Sequence, residues 1–192
     1  MKLQALAAKK SVHLLFGTLL YDQNEWYHAG IYLSPGGAMH IYKKVNLAWH
    51  ERGILKPGSK LECFSIETNT GSFLASIQLC REIRFPEQWT ALADDGSQIF
   101  FYLTNTINAD AKAVWDAHLI SRAAENQRFV LSSNVAHHDQ GCSTLAIDPE
   151  ENVLHAIPSA DEAMIKVQFD LSQNSSWYLN QRRTDLMDCR LR

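Results

Sequence analysis

Apolar residues along this chain fall into short runs broken by turn residues, and most of the runs have strand rather than helix length. "VHLLFGTLLY" (12–21) is nearly continuous, the pattern of a strand covered on both faces. "WYHAGIYLS" and "AMHIYKKV" flank Pro35, Gly36 and Gly37, so residues 26–45 read as a hairpin. "LECFSIET" and "SFLASIQL", joined by "NTG" at 69–71, predict two more strands, and "SQIFFYL", "RFVLSSNV", "CSTLAIDP", "VLHAI" and "AMIKVQFDL" predict the rest. Helical spacing is confined to a few segments. "KLQALAAKK" places Leu3, Leu6 and Ala7 on one side and ends in lysines, which suit a helix C-terminus. "FPEQWTALADDG" carries Pro86 in its first turn and stops at Gly96. "ADAKAVWDAHLISRAAENQ" spaces Trp115, Leu119 and Ala123 by four. The tail "SSWYLNQRRTDL" predicts a short helix capped by Ser175 or Ser176. Strands and helices interleave, which argues an α/β layered architecture with at least one mixed sheet in a single domain over 1–192.

Composition narrows the partners more than the fold. A chain of 192 residues with 46% apolar and 20% charged positions suits one globular domain with a sizeable core. The net charge of -3 gives no electrostatic reason to expect a nucleic acid or an anionic membrane, and no run is long enough to span a bilayer. Cys63, Cys80, Cys142 and Cys189 are far apart with no C-x-x-C pair, so a zinc knuckle or a dithiol redox motif is not expected, and neither metal nor cofactor is implied. The opening residues lack the apolar core of a secretory signal, which points to free thiols in a reducing cytoplasm.

Chemistry concentrates in "SIQLCREIRFPEQW" (76–89). Cys80 ends a strand and precedes a loop into a helix, at the carboxyl edge where reacting groups gather in open α/β sheets. Charged Arg81, Glu82 and Arg84 follow it, and nearby cations favour the thiolate. A plain packing role for Cys80 is equally compatible with its position. Lys43 and Lys44 end an alternating strand, so one of them points inward. An inward ammonium needs a carboxylate, and Glu51 lies seven residues on. The "HHDQ" of 137–140 offers a histidine for a papain-like pairing with Cys80; as a metal site it is disfavoured, because neighbouring side chains on an extended segment point opposite ways.

Taken in order, "YKKVNL", "HERGILKPG", "LCREIRFPE", "VWDAHLISRAAEN" and "GCSTLAIDP" resemble the motifs of the carbon-nitrogen hydrolase (nitrilase) superfamily, over residues 10 to 185. The resemblance implies a four-layer α-β-β-α sandwich and a Glu-Lys-Cys triad with a second glutamate that orients the lysine. Matched position by position, Cys80 is the nucleophile, Lys44 the lysine and Glu51 the second glutamate, with the backbone N–H of Arg81 facing the oxyanion. Trp115, Arg122, Glu125 and Asn126 match the helix that supports the site and a subunit interface, and Glu82 stands beside the nucleophile. The implied activity is hydrolysis of a small amide or carbamoyl compound through a thioester, with nitriles as the other substrate class, by a homo-oligomer.

The chain departs from the family at its start. The general-base glutamate of relatives lies in a Pro-Glu motif upstream of the segment that opens this sequence, and nothing before Ser11 resembles it. The resemblance therefore implies a misassigned start that leaves out the front of the protein, an N-terminally truncated sandwich with impaired or altered turnover, or a chain completed by a partner. The alternative is a scaffold or regulatory subunit that has lost turnover. Glu82 and Glu51 are poor stand-ins for the missing base.

Overall fold

The computed structural model describes residues 2–157 and 160–186. Strands β1 (Leu14–Asp22), β2 (Glu25–Leu33) and β3 (Met39–Lys43) form a three-stranded antiparallel sheet in that order. Gln23 and Asn24 join β1 to β2, both with positive φ (50° and 64°), as a two-residue turn matched to strand twist requires. The β2–β3 hairpin pairs Leu33 with Met39 and Ala29 with Lys43, so it folds symmetrically about Gly36.

The second sheet has the order β4 (Phe64–Thr68), β5 (Gly71–Leu79), β6 (Ile99–Leu103), β7 (Phe129–Ser133), β8 (Thr144–Ile147), β9 (Val153–Ile157). Its three central strands β5, β6 and β7 are parallel, and the flanking pairs are antiparallel. Parallel neighbours need crossovers, which α2 (Pro86–Asp94) and α3 (Lys112–Asn126) supply. Gln127 at φ 50° closes α3 in the left-handed conformation.

Three apolar clusters stack these elements into four layers. Ala7 of α1 (Lys2–Lys10) meets Ile31 and Leu33 on the outer face of the small sheet. Tyr32 and Tyr42 on its inner face meet Phe64, Ile77 and Leu79 of the large sheet. Trp89, Leu92, Trp115 and Leu119 of α2 and α3 cover Phe100, Tyr102 and Val130 on the far side. The sheets approach closely at Gly30, where a Cβ would lie 2.6 Å from Ile77 Cγ2.

Several sequence expectations are corrected. The run at 12–21 is not covered on both faces throughout: among the described residues β1 pairs only with β2, and no residue of β1 is buried. Leu14 and Phe16 pack toward α1 and Leu15 toward the large sheet, but the strand outruns both layers and leaves Leu19 and Tyr21 exposed. Leu3 and Leu6 are exposed as well, and only Ala7 of α1 is buried. "AMIKVQFDL" forms no strand; Met164 is exposed, while Phe169 anchors the segment on the Phe129 ring at 5.4 Å. The tail makes only a 3₁₀ turn at Leu179–Gln181, with Ser175 Oγ accepting the Trp177 N–H. Cys189 lies outside the described residues.

Candidate active site

Alternation along β3 and into the residue that follows it sends Lys43 and Lys44 to opposite sides. Lys43 donates to Asp22 at 2.7 Å and lies over the Tyr27 ring, partly exposed. Lys44 is fully buried and donates to both carboxylate oxygens of Glu51, at 2.9 and 2.7 Å. Glu51 also accepts the Ala48 N–H at 2.5 Å and is hydrogen-bonded to His28 Nδ1 at 2.7 Å. Burial alone would raise the Glu51 pKa, but the bonds from His28, Lys44 and Ala48 outweigh it and hold the carboxyl down at about 2. Glu51 is therefore an anion sitting against the buried ammonium, as a desolvated charge requires.

Cys80 follows the last residue of β5 and opens a 3₁₀ turn, Cys80–Arg84. Its φ of +46° is left-handed, an uncommon conformation for a residue with a Cβ. Three contacts brace this elbow. Tyr102 donates to the Cys80 carbonyl at 2.8 Å. Arg122 of α3 is buried and donates to the Ile83 carbonyl at 2.9 Å. Trp89 donates to the Glu82 carbonyl at 3.1 Å. Arg81 precedes the first N–H that the turn can bond internally, and its amide has no hydrogen-bond partner among the described residues.

Glu82 joins the two halves. Its Oε1 accepts the Tyr42 hydroxyl (2.7 Å) and the N–H groups of Val45 (2.8 Å) and Asn46 (3.1 Å), while Oε2 accepts the Leu79 N–H (2.8 Å). The residue after Lys44 and the residue before Cys80 thus hang on one carboxylate. Glu82 is sealed from solvent, and burial raises its pKa against the pull of those donors. With its lone pairs committed inside the core, it cannot serve as a base for water.

Other predicted residues fall around this centre rather than in it. Trp115 is a core anchor against Tyr102. Glu125 pairs with Arg122 at 2.8 Å at the surface side of α3, and buried Asn126 donates to the Arg122 carbonyl. The Arg84 guanidinium bonds His118 and lies over Trp115 of the helix-side cluster, against which Cys80 also packs. Cys142 is buried in the helix-side core, and the neighbouring Ser143 is tied to Asp116 of α3 through both its N–H and its hydroxyl, each at 2.7 Å. His137 and His138 do not point apart; a turn stacks their rings at 4.1 Å, with Asp139 beside them at the surface.

Sequence reasoning missed His28. The hairpin symmetry about Gly36 places His28 opposite Lys44, and the Lys44 N–H donates to the His28 carbonyl at 2.8 Å. Opposed residues share a face, so the flagged turn already carried the signal. A cavity of about 650 Å³ opens beside this pair, with Leu79, Leu103 and Ser133 at the carboxyl ends of β5, β6 and β7 on one wall and β1 and β2 on the other. His28, His50 and Glu51 are its titratable lining among the described residues.

Four layers with a parallel-centred sheet and this elbow are the architecture of an amidase-like carbon–nitrogen hydrolase. Residues 1–178 match the carbon-nitrogen hydrolase family, and the chain belongs to it. It is 27% identical over 185 residues to a 2-oxoglutaramate amidase of Bacillus subtilis, covering 90% of this chain and 68% of that protein. The fold matches Saccharomyces cerevisiae Nit3, a member of branch 10 of the nitrilase superfamily, with a TM-score of 0.71 at 24% identity over 83% of this chain and 60% of the other. An amidase from Nesterenkonia sp. AN1 superposes with a TM-score of 0.80 at 20% identity, over 96% of this chain and 72% of the other.

Proposed function

We propose that the chain hydrolyses the C–N bond of a small amide or carbamoyl compound through a thioester on Cys80. The observation that carries this reading is the buried Lys44–Glu51 pair, bound through Glu82 to the strand end that presents Cys80. The sulfur attacks the carbonyl carbon, forming a C–S bond and placing negative charge on oxygen. The Lys44 ammonium and the Arg81 N–H stabilise that charge. Glu51 keeps the lysine charged and fixed. Collapse breaks the C–N bond, nitrogen leaves with the proton the thiol gave up, and water hydrolyses the thioester to a carboxylate and the free thiol. The B. subtilis relative is named for its action on an amide; a glutamate-to-glutamine mutant of the Nesterenkonia amidase shows Michael addition of acrylamide at the active-site cysteine, and a cysteine-to-alanine mutant of it is in complex with butyramide. Both favour an amide over a nitrile here.

The test is ammonia release from a panel of primary amides that includes butyramide, with intact-mass detection of the acylated protein. Cys80→Ala is expected to abolish both signals, and Lys44→Met to lower turnover by about 10² or more. Equal ammonia release by wild type and Cys80→Ala would refute the proposal.

A further inference from the structure

A surface turn beyond β7 gathers metal-ligand side chains away from the catalytic centre. Along an extended segment His137 and His138 would point to opposite sides, but the Gln140 N–H donates to the His137 carbonyl at 3.0 Å and closes a β-turn over 137–140. Within that turn the two imidazoles stack at 4.1 Å, with 29° between their planes. His138 Nε2 lies 3.0 Å from Asp139 Oδ2. One ligand atom from each of His137, His138 and Asp139 falls within 4.8 Å of the others. Two imidazole nitrogens and a carboxylate oxygen suit a borderline divalent ion such as Zn²⁺ or Ni²⁺, whereas Mg²⁺ and Ca²⁺ favour oxygen ligands throughout.

The turn is fastened on both flanks. Gln140 Nε2 donates to the Val135 carbonyl at 3.0 Å, and the Gly141 N–H donates to the Thr106 carbonyl at 2.9 Å. Gly141 lies so close to the 106–108 segment that a Cβ there would be 2.5 Å from the Asn108 carbonyl oxygen. A chelate held in this way has less chain freedom to lose when an ion arrives. Its outer side is open, since the His138 and Asp139 side chains are 77% and 54% exposed. Asp139 also faces a pocket of about 390 Å³ together with Asp110, and no basic side chain lines that pocket among the described residues. A cation approaching the turn therefore meets two carboxylates and room for its remaining water ligands. Coordination through either nitrogen of His137 ends the bond that its Nδ1 accepts from the Asp139 N–H at 3.0 Å. That bond is exposed, so water can satisfy the released donor.

We propose that His137, His138 and Asp139 bind one borderline divalent transition-metal ion of the Zn²⁺ type, with water completing its shell. The ion takes the place of the proton between His138 Nε2 and Asp139 Oδ2, and that proton goes to solvent. Neither the Lys44–Glu51 pair nor Cys80 takes part, so the site stands or falls independently of the thioester chemistry.

Thiolates also bind zinc, and the test separates the two kinds of ligand. The tag-free full chain is titrated calorimetrically with ZnCl₂ and with MgCl₂, beside Cys80→Ala, His138→Ala and the double variant His138→Ala/Asp139→Asn. Cys80→Ala should bind Zn²⁺ with the wild-type affinity of the histidine site. His138→Ala should weaken that site about tenfold or more, and the double variant should lose it. MgCl₂ should give no saturable heat. The thermal midpoint should rise with Zn²⁺ in wild type and in Cys80→Ala but not in the double variant. Equal midpoints without metal show that the double variant is folded. Zn²⁺ binding that survives in the double variant and vanishes in Cys80→Ala would assign the ion to the thiol and overturn the proposal. Absence of saturable Zn²⁺ binding by the wild-type chain would overturn it as well.

Discussion

Glu51 stands between a buried cation and a histidine, and its charge state has a measurable signature. Its carboxyl is held at about 2 against an ordinary value of 4.5. A depressed carboxyl stabilises the fold fully above its unfolded pKa, and that contribution is lost as pH falls through the folded value. Glu51→Gln leaves the Lys44 ammonium buried without a counter-charge, at an expected cost of about 3–5 kcal/mol near neutrality. In urea unfolding at stepped pH, the gap between variant and wild type should shrink between pH 4.5 and about 2; a gap independent of pH would show that the pair is not ionised as described. The cysteines divide in the same way. Burial, with Asp95 near one and Asp116 near the other, pushes Cys63 and Cys142 up to about 12. Iodoacetamide near pH 8 should therefore modify Cys80 roughly tenfold or more ahead of them, as read by peptide mapping. At this scale strand alternation showed that one of Lys43 and Lys44 turns inward, the motif resemblance pointed to Lys44, and the need to pair an inward ammonium pointed to Glu51. His28 was not noticed, because its role depends on pairing across a hairpin rather than on its immediate neighbours.

The hairpin that carries Lys44 and His28 holds its distance from β5 through Gly30. A methyl there would meet Ile77 Cγ2 at 2.6 Å, so Gly30→Ala is expected to cost about 1–3 kcal/mol by overpacking. Combining it with Ile77→Ala should destabilise less than the sum of the two single changes, measured as urea midpoints; strict additivity would mean that the sheets do not touch at this point. Elements with strong local punctuation were legible. α2 has Pro86 at its start and Gly96 just beyond its end at φ +98°, and the Trp115, Leu119, Ala123 stripe of α3 is buried as its spacing predicts. β1 misled for a physical reason: a continuous apolar run does not distinguish a strand enclosed by two layers from an edge strand that extends past them. "AMIKVQFDL" misled because strand-like composition does not supply a bonding partner, and the segment spends its aromatic ring on Phe129 instead.

Over the whole molecule, the four layers were readable only through the order of five motifs, since no local pattern says which sheet faces which. The cavity was not readable at all. It is assembled from the ends of three parallel strands and from a hairpin that precedes them in the chain by some tens of residues. What unites these distant pieces is one side chain, Glu82, and its geometry bears on how the molecule fluctuates. The amide protons of Val45 and Leu79 are shielded by the two oxygens of the same carboxylate, so neither can reach solvent while that anchor holds. Native-state hydrogen–deuterium exchange should find them opening at a common rate, and Glu82→Ala should quicken both together. The lysine strand and the cysteine elbow would then be a single breathing unit, lost or kept in one event.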